Sequence, residues 1–181
     1  MSTEPAQDYR SLEYPRECSF SRNDWDILAN FWYPIALESD IGDQPLKARL
    51  LDTDLVIARL GSEYVVSKDL CIHRGAPLSN GWVRDECIVC PYHGYRFDAA
   101  GKCVLVPSHP EWKIPGKLRL QTILHEERYG IIWVCLSGKP ANCIPIWEPE
   151  ESDSTYRRFT LGPEIWNCSA GRLIENFIDN A

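Results

Sequence analysis

Long apolar runs and an export signal are what this sequence most clearly lacks. A helix that spans a bilayer needs roughly 20 apolar residues. The longest apolar run here, residues 129–136, is much shorter and indicates a buried strand. The first 25 residues are polar and acidic, without the charged and then apolar order of a secretory signal. We therefore expect a cytoplasmic protein that does not associate with a membrane.

Positive charge is also in short supply. The 181 residues carry a net charge of −7, which argues against a nucleic-acid partner because phosphate binding needs a concentrated basic surface. Hydrophobic residues make up 44% of the chain and charged residues 25%, a balance typical of a folded globular protein. The sequence contains no internal repeat and no low-complexity segment. Its length suffices for one domain of ordinary size with some residues to spare.

Short segments with strand character, separated by turn residues, make up most of the middle of the chain. They are rich in Val, Ile, Tyr, Phe or Cys, and they lie at residues 47–51, 55–60, 64–67, 87–89, 95–97, 102–106, 121–124 and 131–136. Residues 99–101 predict a hairpin turn between two of them. Many short strands in close succession predict a mostly-β fold, an antiparallel sandwich or barrel.

Composition divides the chain into four parts. Residues 1–30 are a polar lead-in, expected to be loosely ordered up to Asp24, and residues 31–145 form the β domain. Residues 146–160 are rich in acidic side chains and predict a linker. Residues 161–181 begin a further domain.

The region after the linker mixes strand and helix signals. Residues 156–161 and 164–168 predict strands. Residues 171–180 predict an amphipathic helix, whose apolar face holds Leu173, Ile174, Phe177 and Ile178.

Two short segments carry the chemistry, CIHRG and CPYHG. Each offers one thiolate and one imidazole, and sixteen residues separate His73 from Cys90. A Rieske-type [2Fe–2S] cluster is held by two Cys on one iron and two His on the other. We therefore predict that Cys71 and Cys90 bind one iron while His73 and His93 bind the other, so that each segment gives one ligand to each iron.

A structural zinc site is the competing interpretation of the same four side chains. Zinc knuckles usually use C-x₂₋₄-C spacing rather than C-x-H, which disfavours zinc. Cys87 and Cys90 do form a C-x-x-C pair of the kind seen in redox and zinc motifs. A strand that enters the second segment explains Cys87 more simply, as a small buried residue.

The wider context of the two segments resembles a known family. HRGAPLS at residues 73–79 and CPYHGYRF at residues 90–97 are similar to the Rieske domain of non-haem iron oxygenases, the terminal components of aromatic-ring dioxygenases and O-demethylases. The resemblance covers most of residues 31–145. It implies a Rieske-type antiparallel β-sandwich, followed by the start of an α+β, helix-grip-like catalytic domain that is cut off.

Positions around the predicted ligands differ from those of high-potential respiratory Rieske proteins. Those proteins resemble one another in having an extra Cys in each loop, joined as a disulfide, and Ala76 and Tyr92 occupy the matching positions here. Where those proteins place Ser and Tyr hydroxyls, this chain has Tyr95 and Phe97. Fewer hydrogen bonds to sulfur stabilise the reduced state less, so we expect a potential toward the low end of the roughly −150 to +300 mV Rieske range.

The helix predicted at the end of the chain resembles the helix on which these oxygenases build their catalytic iron site. The family pattern is Asn-x-x-Asp-x-x-His with a second His shortly after, and Asn176 and Asp179 match its first two positions. The resemblance implies that Asp179 bridges a cluster-ligating His of a neighbouring subunit to an iron-ligating His; the alternative is an ordinary solvent-facing acid. The first such His would follow Ala181, so ligands for a mononuclear Fe(II) are absent from this chain.

The remaining histidines do not replace those ligands. His109 lies in a Pro-rich loop and His125 at a strand end beside two glutamates, and both are expected at the surface. Arg74 and Arg96 have two interpretations, part of a docking surface for an acidic electron donor or solvated side chains that hold the loops.

The resemblance implies a terminal oxygenase component. Its cluster would accept electrons from an NAD(P)H-linked reductase or a ferredoxin and pass them to Fe(II), which activates O₂ for monooxygenation, dihydroxylation or O-demethylation of an organic, aromatic or cyclic, substrate. A homotrimer is expected by analogy. The alternative is a standalone Rieske-type [2Fe–2S] ferredoxin that only carries electrons. The linker and the terminal helix, which a carrier does not need, favour the oxygenase.

Overall fold

A computed structural model describes residues 12–146, 153–157 and 164–179. Several predicted features lie partly outside the described residues, namely the lead-in, the linker, the strand expected at 156–161 and the helix expected at 171–180. The chain divides into two compact units between Ile144 and Pro145.

The first unit is built mainly of short antiparallel strands, which confirms the mostly-β prediction. Its strands are β1 (Tyr33–Leu37), β2 (Leu46–Leu50), β3 (Thr53–Leu60), β4 (Glu63–Lys68), β5 (Trp82–Arg84), β6 (Cys87–Val89), β7 (Arg96–Phe97), β8 (Cys103–Leu105), β9 (Leu124–Arg128) and β10 (Ile131–Cys135). They form three sheets with the strand orders β1-β10-β9, β2-β3-β4 and β5-β6-β7-β8. Every pair within these sheets is antiparallel.

The unit has two hydrophobic cores, and strand β3 contributes to both. The site core consists of Val56, Ala58, Leu60, Val65, Cys71, Leu78, Ile88, Cys90, Phe97, Cys103, Val106 and Leu120. The far core consists of Leu12, Trp25, Ala29, Ile41, Leu55, Ile57, Val66, Ile123, Ile132, Val134 and Leu136. Successive residues of a strand point to opposite faces, so side chains 55 to 58 alternate between the two cores. All four are fully buried, as expected for a strand covered on both faces.

Two hairpins of the first unit turn without glycine. Leu51 and Asp52, between β2 and β3, have φ angles of 45° and 58°, while Asp85 and Glu86, between β5 and β6, have φ angles of 51° and 53°. Two-residue turns with positive φ match the twist of the paired strands, and they usually contain Gly or Asn. These four residues therefore hold a backbone conformation that most side chains disfavour.

The expectation of a loosely ordered lead-in up to Asp24 is wrong for residues 22–24. These residues begin helix α1 (Arg22–Leu28), and the Ser21 side chain caps its start by accepting a hydrogen bond from the Asp24 amide at 3.2 Å. Trp25 is 3% exposed, and its indole N–H donates to the carbonyl of Leu51 at 3.0 Å. One buried aromatic side chain, rather than apolar periodicity, ties this helix to the far core.

The predicted strands of the first unit agree with the structure within two residues at either end, with one exception. The segment 121–124 forms only an isolated bridge from Thr122 to Ser67, and the paired strand β9 begins at Leu124. Strands β1 and β5 were not predicted. Both lie at sheet edges, where pairing on one side tolerates an interruption of the apolar pattern such as Pro34 in β1.

The second unit contains helix α2 (Ala170–Ile178), which confirms the helix predicted there. The Ser169 side chain caps it by accepting from the Arg172 amide, and Asp179 follows directly after its last turn. The prediction of strands at 156–161 and 164–168 is wrong for residues 156–157 and 164–168. These residues pair with no strand within the described part of the unit. Neither described helix has the length and apolar character that a bilayer crossing requires. The cytoplasmic location stays a prediction.

Candidate metal centre

Two loops with the same backbone pattern place the predicted ligands. Loop 1 (residues 71–76) follows β4, and loop 2 (residues 90–95) joins β6 to β7. In loop 1 the amide of Cys71 donates to the carbonyl of Ala76 at 2.8 Å, and in loop 2 the amide of Cys90 donates to the carbonyl of Tyr95 at 2.9 Å. Each loop is thus closed by a hydrogen bond that starts at its cysteine.

A glycine four residues after each cysteine tightens the loop. The amides of Gly75 and Gly94 donate to the carbonyls of Cys71 and Cys90 at 2.9 and 3.0 Å. Their φ angles of 69° and 68° lie in the left-handed region that favours glycine. The spacing C-x₃-G in both segments is the sequence signal for this shared geometry.

A third glycine lets the two loops approach one another. Loop 1 leads into a short 3₁₀ turn (Leu78–Asn80), and Gly81 follows it beside strand β6. A Cβ atom at Gly81 would overlap the carbonyl oxygen of Val89. Only glycine allows this contact, which places the segment that follows loop 1 directly against β6, the strand that leads into loop 2.

The two thiols lie inside the protein. Cys71 is 2% exposed and Cys90 is 1% exposed, and both belong to the site core. Burial raises the pKa of the Cys71 thiol to about 12. The neighbouring Cys90 thiol raises this pKa further, whereas hydrogen bonds from the backbone amides of His73 and Arg74 lower it. A metal that binds here therefore replaces a proton.

The two imidazoles lie at the surface above the thiols' loops. The His73 and His93 rings are both exposed, and their centroids are 4.6 Å apart with an angle of 58° between the planes. Desolvation lowers the pKa of the His93 imidazole, and the charges of His73 and Arg74 lower it further. The neutral ring is the form that coordinates a metal.

A tyrosine ring stacks on each imidazole. The Tyr95 ring lies parallel to the His73 ring, with a centroid distance of 4.7 Å and an interplanar angle of 9°. The Tyr92 ring stacks on the His93 ring at 3.8 Å and 30°. Both tyrosines come from loop 2. Sequence reasoning noted their identity but missed these contacts, because the Tyr95 contact depends on how the two loops face each other.

The buried carboxylate of Asp69 links the two sides of loop 1, and the sequence did not predict this contact. Asp69 is 6% exposed. Its two carboxylate oxygens accept hydrogen bonds from the backbone amide of Ser79 at 2.7 Å and from the Ser79 hydroxyl at 2.6 Å. The Asp69 amide itself donates to the carbonyl of Asp54, in β3, at 3.0 Å. The residues on both sides of loop 1 are therefore linked to each other and to strand β3.

The arginines and the remaining histidines considered from the sequence lie in different surroundings. Arg96 forms an ion pair with Asp85 at 2.6 Å, which favours the loop-holding interpretation, whereas Arg74 is exposed at the tip of loop 1. His109 is exposed as expected. The surface prediction for His125 is wrong: its ring is half-buried and its two nitrogens contact backbone carbonyls of Ile123 and Tyr64, each at 2.9 Å, because β9 packs beside β4.

The candidate residues of the second unit are exposed. Asn176 lies on the last turn of α2, and the amide of Asp179 donates to the carbonyl of Glu175 at 3.0 Å. Asp179 thus ends the helix rather than lying within it. The bridging role of Asp179 stays a prediction.

The four predicted ligands form two unlike pairs, two buried thiols and two exposed imidazoles. Across the described ranges, no three His, Cys, Asp or Glu side chains surround a common point as ligands of one metal ion. A family model described as the Rieske [2Fe-2S] domain matches residues 31–123, a span that includes both loops. The chain belongs to the Rieske [2Fe–2S] domain family. This confirms the resemblance and sets the zinc interpretation aside.

Relatives of this Rieske chain include demethylases and other oxygenases. It is 37% identical over 161 residues to methylxanthine N1-demethylase NdmA of Pseudomonas putida, covering 85% of this chain and 46% of the relative. It is 34% identical over 157 residues to the oxygenase component of dicamba O-demethylase of Stenotrophomonas maltophilia, covering 84% and 45%. The chain spans about half the length of the curated relatives it matches.

Solved structures give the same result for the fold. The structure of NdmA from Pseudomonas putida CBB5 superposes with a TM-score of 0.80 at 36% identity, over 87% of this chain and 50% of that one. Dicamba monooxygenase with non-haem iron and dicamba superposes with a TM-score of 0.62 at 34% identity, over 72% and 40%.

The residues present fit a [2Fe–2S] cluster, the group that this family binds. Two buried cysteine sulfurs suit one iron, and two exposed imidazoles suit the other. The amides of His73 and Arg74, directed at the Cys71 sulfur, supply hydrogen bonds of the kind that tune such clusters. None of the eight cysteines is in a disulfide. The assignment of each ligand to its iron stays a prediction.

Proposed function

We propose that this chain is the Rieske part of a terminal oxygenase component. In this proposal, electrons from an NAD(P)H-linked reductase or a ferredoxin reach the cluster and are used at a mononuclear Fe(II) site to activate O₂ and oxidise an organic substrate. The observation that carries it is the pair of buried thiols beside the pair of exposed imidazoles, in a chain whose relatives named above are oxygenases. That likeness favours an oxygenase over a standalone ferredoxin.

The predicted cysteine ligands are buried, whereas the predicted histidine ligands lie at the surface. When bound, the cluster supplies one-electron transfer. Cys71 and Cys90 would hold one iron through thiols that are buried in the site core. His73 and His93 would hold the other iron through imidazoles that are exposed at the surface, where an electron donor or acceptor can approach them. We also propose that the reduction potential of the cluster lies toward the low end of the roughly −150 to +300 mV Rieske range.

The substrate class is proposed from the relatives. Methylxanthine N1-demethylase, dicamba O-demethylase and vanillate O-demethylase, the last 38% identical to this chain, are each named for removing a methyl group. We therefore propose that this protein acts on an aromatic or heteroaromatic ring compound, by monooxygenation that removes a methyl group. The substrate itself is not specified by these residues.

The remaining partners are proposed on the resemblance. Asp179 is proposed as the bridge between a cluster-ligating His of one subunit and an iron-ligating His of the next, with Asn176 beside it, in a homotrimer located in the cytoplasm.

The experiment that tests the proposal is iron and acid-labile sulfide analysis of the protein purified without air from its native gene. We expect about two sulfides and about three irons per chain, the third iron belonging to the mononuclear site. A result of about two irons and two sulfides per chain, with no O₂ uptake after Fe(II) is added back, would support a standalone ferredoxin instead. A preparation without sulfide would contradict both.

A further inference from the structure

Four aromatic rings form a continuous row across the two loops. In order they are Tyr95, His73, His93 and Tyr92, with successive centroid distances of 4.7, 4.6 and 3.8 Å. The imidazoles occupy the middle of the row and the phenol rings its two ends. Each imidazole therefore has one face covered by a tyrosine, a contact that limits rotation of the ring.

The two end contacts of this row differ in what they connect. Tyr92 stacks on its immediate neighbour His93, within loop 2, and is 61% exposed. Tyr95 also belongs to loop 2, but it stacks on His73 of loop 1. Tyr95 is half-buried and packs against the site core. Only the Tyr95 contact joins the two loops through a side chain that is itself anchored in the protein.

Tyr95 also closes the backbone of its own loop. Its carbonyl accepts the hydrogen bond from the Cys90 amide at 2.9 Å. One residue is therefore linked to a cysteine of loop 2 through its backbone and to a histidine of loop 1 through its ring. A movement of Tyr95 would change the position of one predicted ligand for each iron.

We propose that Tyr95 is a positioning residue that sets the orientation of His73 and holds the two loops at the spacing the cluster needs. The proposal rests on the proposed function, since it assumes that His73 binds the cluster. The ring, and not the hydroxyl, does this work, because the contact is a parallel stack and no hydrogen bond from the Tyr95 hydroxyl is found among the described residues.

The test compares three variants of the cluster-loaded chain with the wild type. Tyr95→Leu removes the stacked ring between the loops, Tyr95→Phe keeps the ring and removes only the hydroxyl, and Tyr92→Leu is the matched control that removes a stack within one loop. Cluster release to an iron chelator, followed by the visible absorbance, is measured together with the reduction potential and the EPR g-values of the reduced protein.

We expect Tyr95→Leu to lose its cluster about 3- to 10-fold faster than the wild type, the range expected for one lost aromatic stack. Its g-values change because the His73 ring is no longer held. Its potential rises, because water beside His73 stabilises the more negative reduced state. Tyr95→Phe stays close to the wild type in all three measurements. Tyr92→Leu releases its cluster no more than about 2-fold faster, because the exposed Tyr92 ring stacks within one loop and its loss leaves the spacing of the two loops unchanged.

Three results would overturn the inference. Tyr95→Leu with wild-type release, potential and g-values would remove the positioning role. Tyr95→Phe behaving like Tyr95→Leu would assign the effect to the hydroxyl. Tyr92→Leu matching Tyr95→Leu would remove the special role of the contact between loops. Far-UV circular dichroism of the metal-free variants establishes that each one folds. A wild-type chain that binds no cluster would overturn the proposed function, and this inference with it.

Discussion

Single buried polar residues do much to hold the ligand loops, and Asp69 is the clearest case. Its carboxylate accepts hydrogen bonds from the backbone amide and the hydroxyl of Ser79. Its own amide donates a hydrogen bond to the carbonyl of Asp54 in β3. Hydrogen bonds to a charged group are the stronger kind, and a buried donor left without its acceptor is costly. The span of loop 1 is therefore set by a pair that lies outside the loop.

Asp69→Ala is expected to lower the free energy of unfolding by about 2 to 3 kcal/mol, because two charge-assisted hydrogen bonds are lost and the Ser79 amide loses its acceptor. Urea unfolding of the metal-free protein measures the loss. Ser79→Ala, which removes only the hydroxyl, serves as the control and should cost about 1 kcal/mol. A loss in Asp69→Ala no greater than in the control would contradict the clamp.

Asp52 gives the pH dependence expected at the level of one residue. Hydrogen bonds from the Ser19 hydroxyl and amide, with a further one from Arg49, lower the pKa of the Asp52 carboxyl from 3.8 to about 2. A carboxyl with a lowered folded-state pKa stabilises the fold above its unfolded value and loses that contribution as the pH falls through the folded value. The Asp52 contribution is thus present above 3.8 and disappears toward about 2.

Asp52→Asn should therefore be less stable than the wild type at about pH 6, and the difference should shrink as the pH falls from about 4 to about 2. Asn is a suitable replacement because it tolerates the positive φ of this turn. Urea unfolding at several pH values measures the difference. A gap that stays constant over this range would show that the ionised form of Asp52 contributes nothing.

At the scale of whole elements, the hairpin between β5 and β6 holds conformational strain next to the site. Asp85 and Glu86 both have positive φ, a conformation that costs a residue with a side chain roughly 1 kcal/mol or more. The ion pair from Asp85 to Arg96 ties this turn to β7, the strand that follows loop 2. The strain is therefore held in place by a contact that also orients the second loop.

Glu86→Gly should raise the free energy of unfolding by about 0.5 to 1 kcal/mol, because glycine adopts positive φ without strain and only part of that gain is offset by its greater freedom in the unfolded chain. Thermal unfolding of the metal-free protein measures the gain. Glu86→Ala is the control, since it removes the same carboxylate but keeps a Cβ atom. An equal gain in both variants would point to the charge rather than to the backbone.

At the scale of the whole first unit, the ligand thiols are part of a hydrophobic core rather than an attachment to it. Cys71 and Cys90 share the site core with side chains from β3, β6 and β7. Metal binding free energy adds to folding free energy when the binding site forms only in the folded state. The fold and the cluster are therefore expected to stabilise each other.

Removal of the cluster with a chelator and reductant should lower the melting temperature of the unit that contains both loops, because the bound state no longer favours the folded form. Differential scanning calorimetry of the loaded and metal-free protein measures the shift. Cys71→Ala cannot retain the cluster, so its melting temperature should be the same before and after the treatment with chelator and reductant. Equal melting temperatures for loaded and metal-free wild type would contradict the coupling.

Sequence patterns predicted the parts of this unit that depend on local spacing. The two segments with their cysteine, histidine and glycine spacing, the short apolar strands and the hairpin turn at residues 99–101 are local features, and the structure contains them. Helix α1 was missed because a single tryptophan, packed on a distant turn, fixes it. The Asp69–Ser79 and Tyr95–His73 contacts join residues brought together by tertiary folding, for which the sequence gives no periodic signal.

The alternation along β3 has a practical consequence for protein engineering. Val56 and Ala58 face the core that contains the thiols, whereas Leu55 and Ile57 face the other core, although all four are consecutive and equally buried. One strand therefore offers two sets of positions. We expect substitutions at 56 and 58 to alter the packing around the thiols, and substitutions at 55 and 57 to alter the packing of the far core.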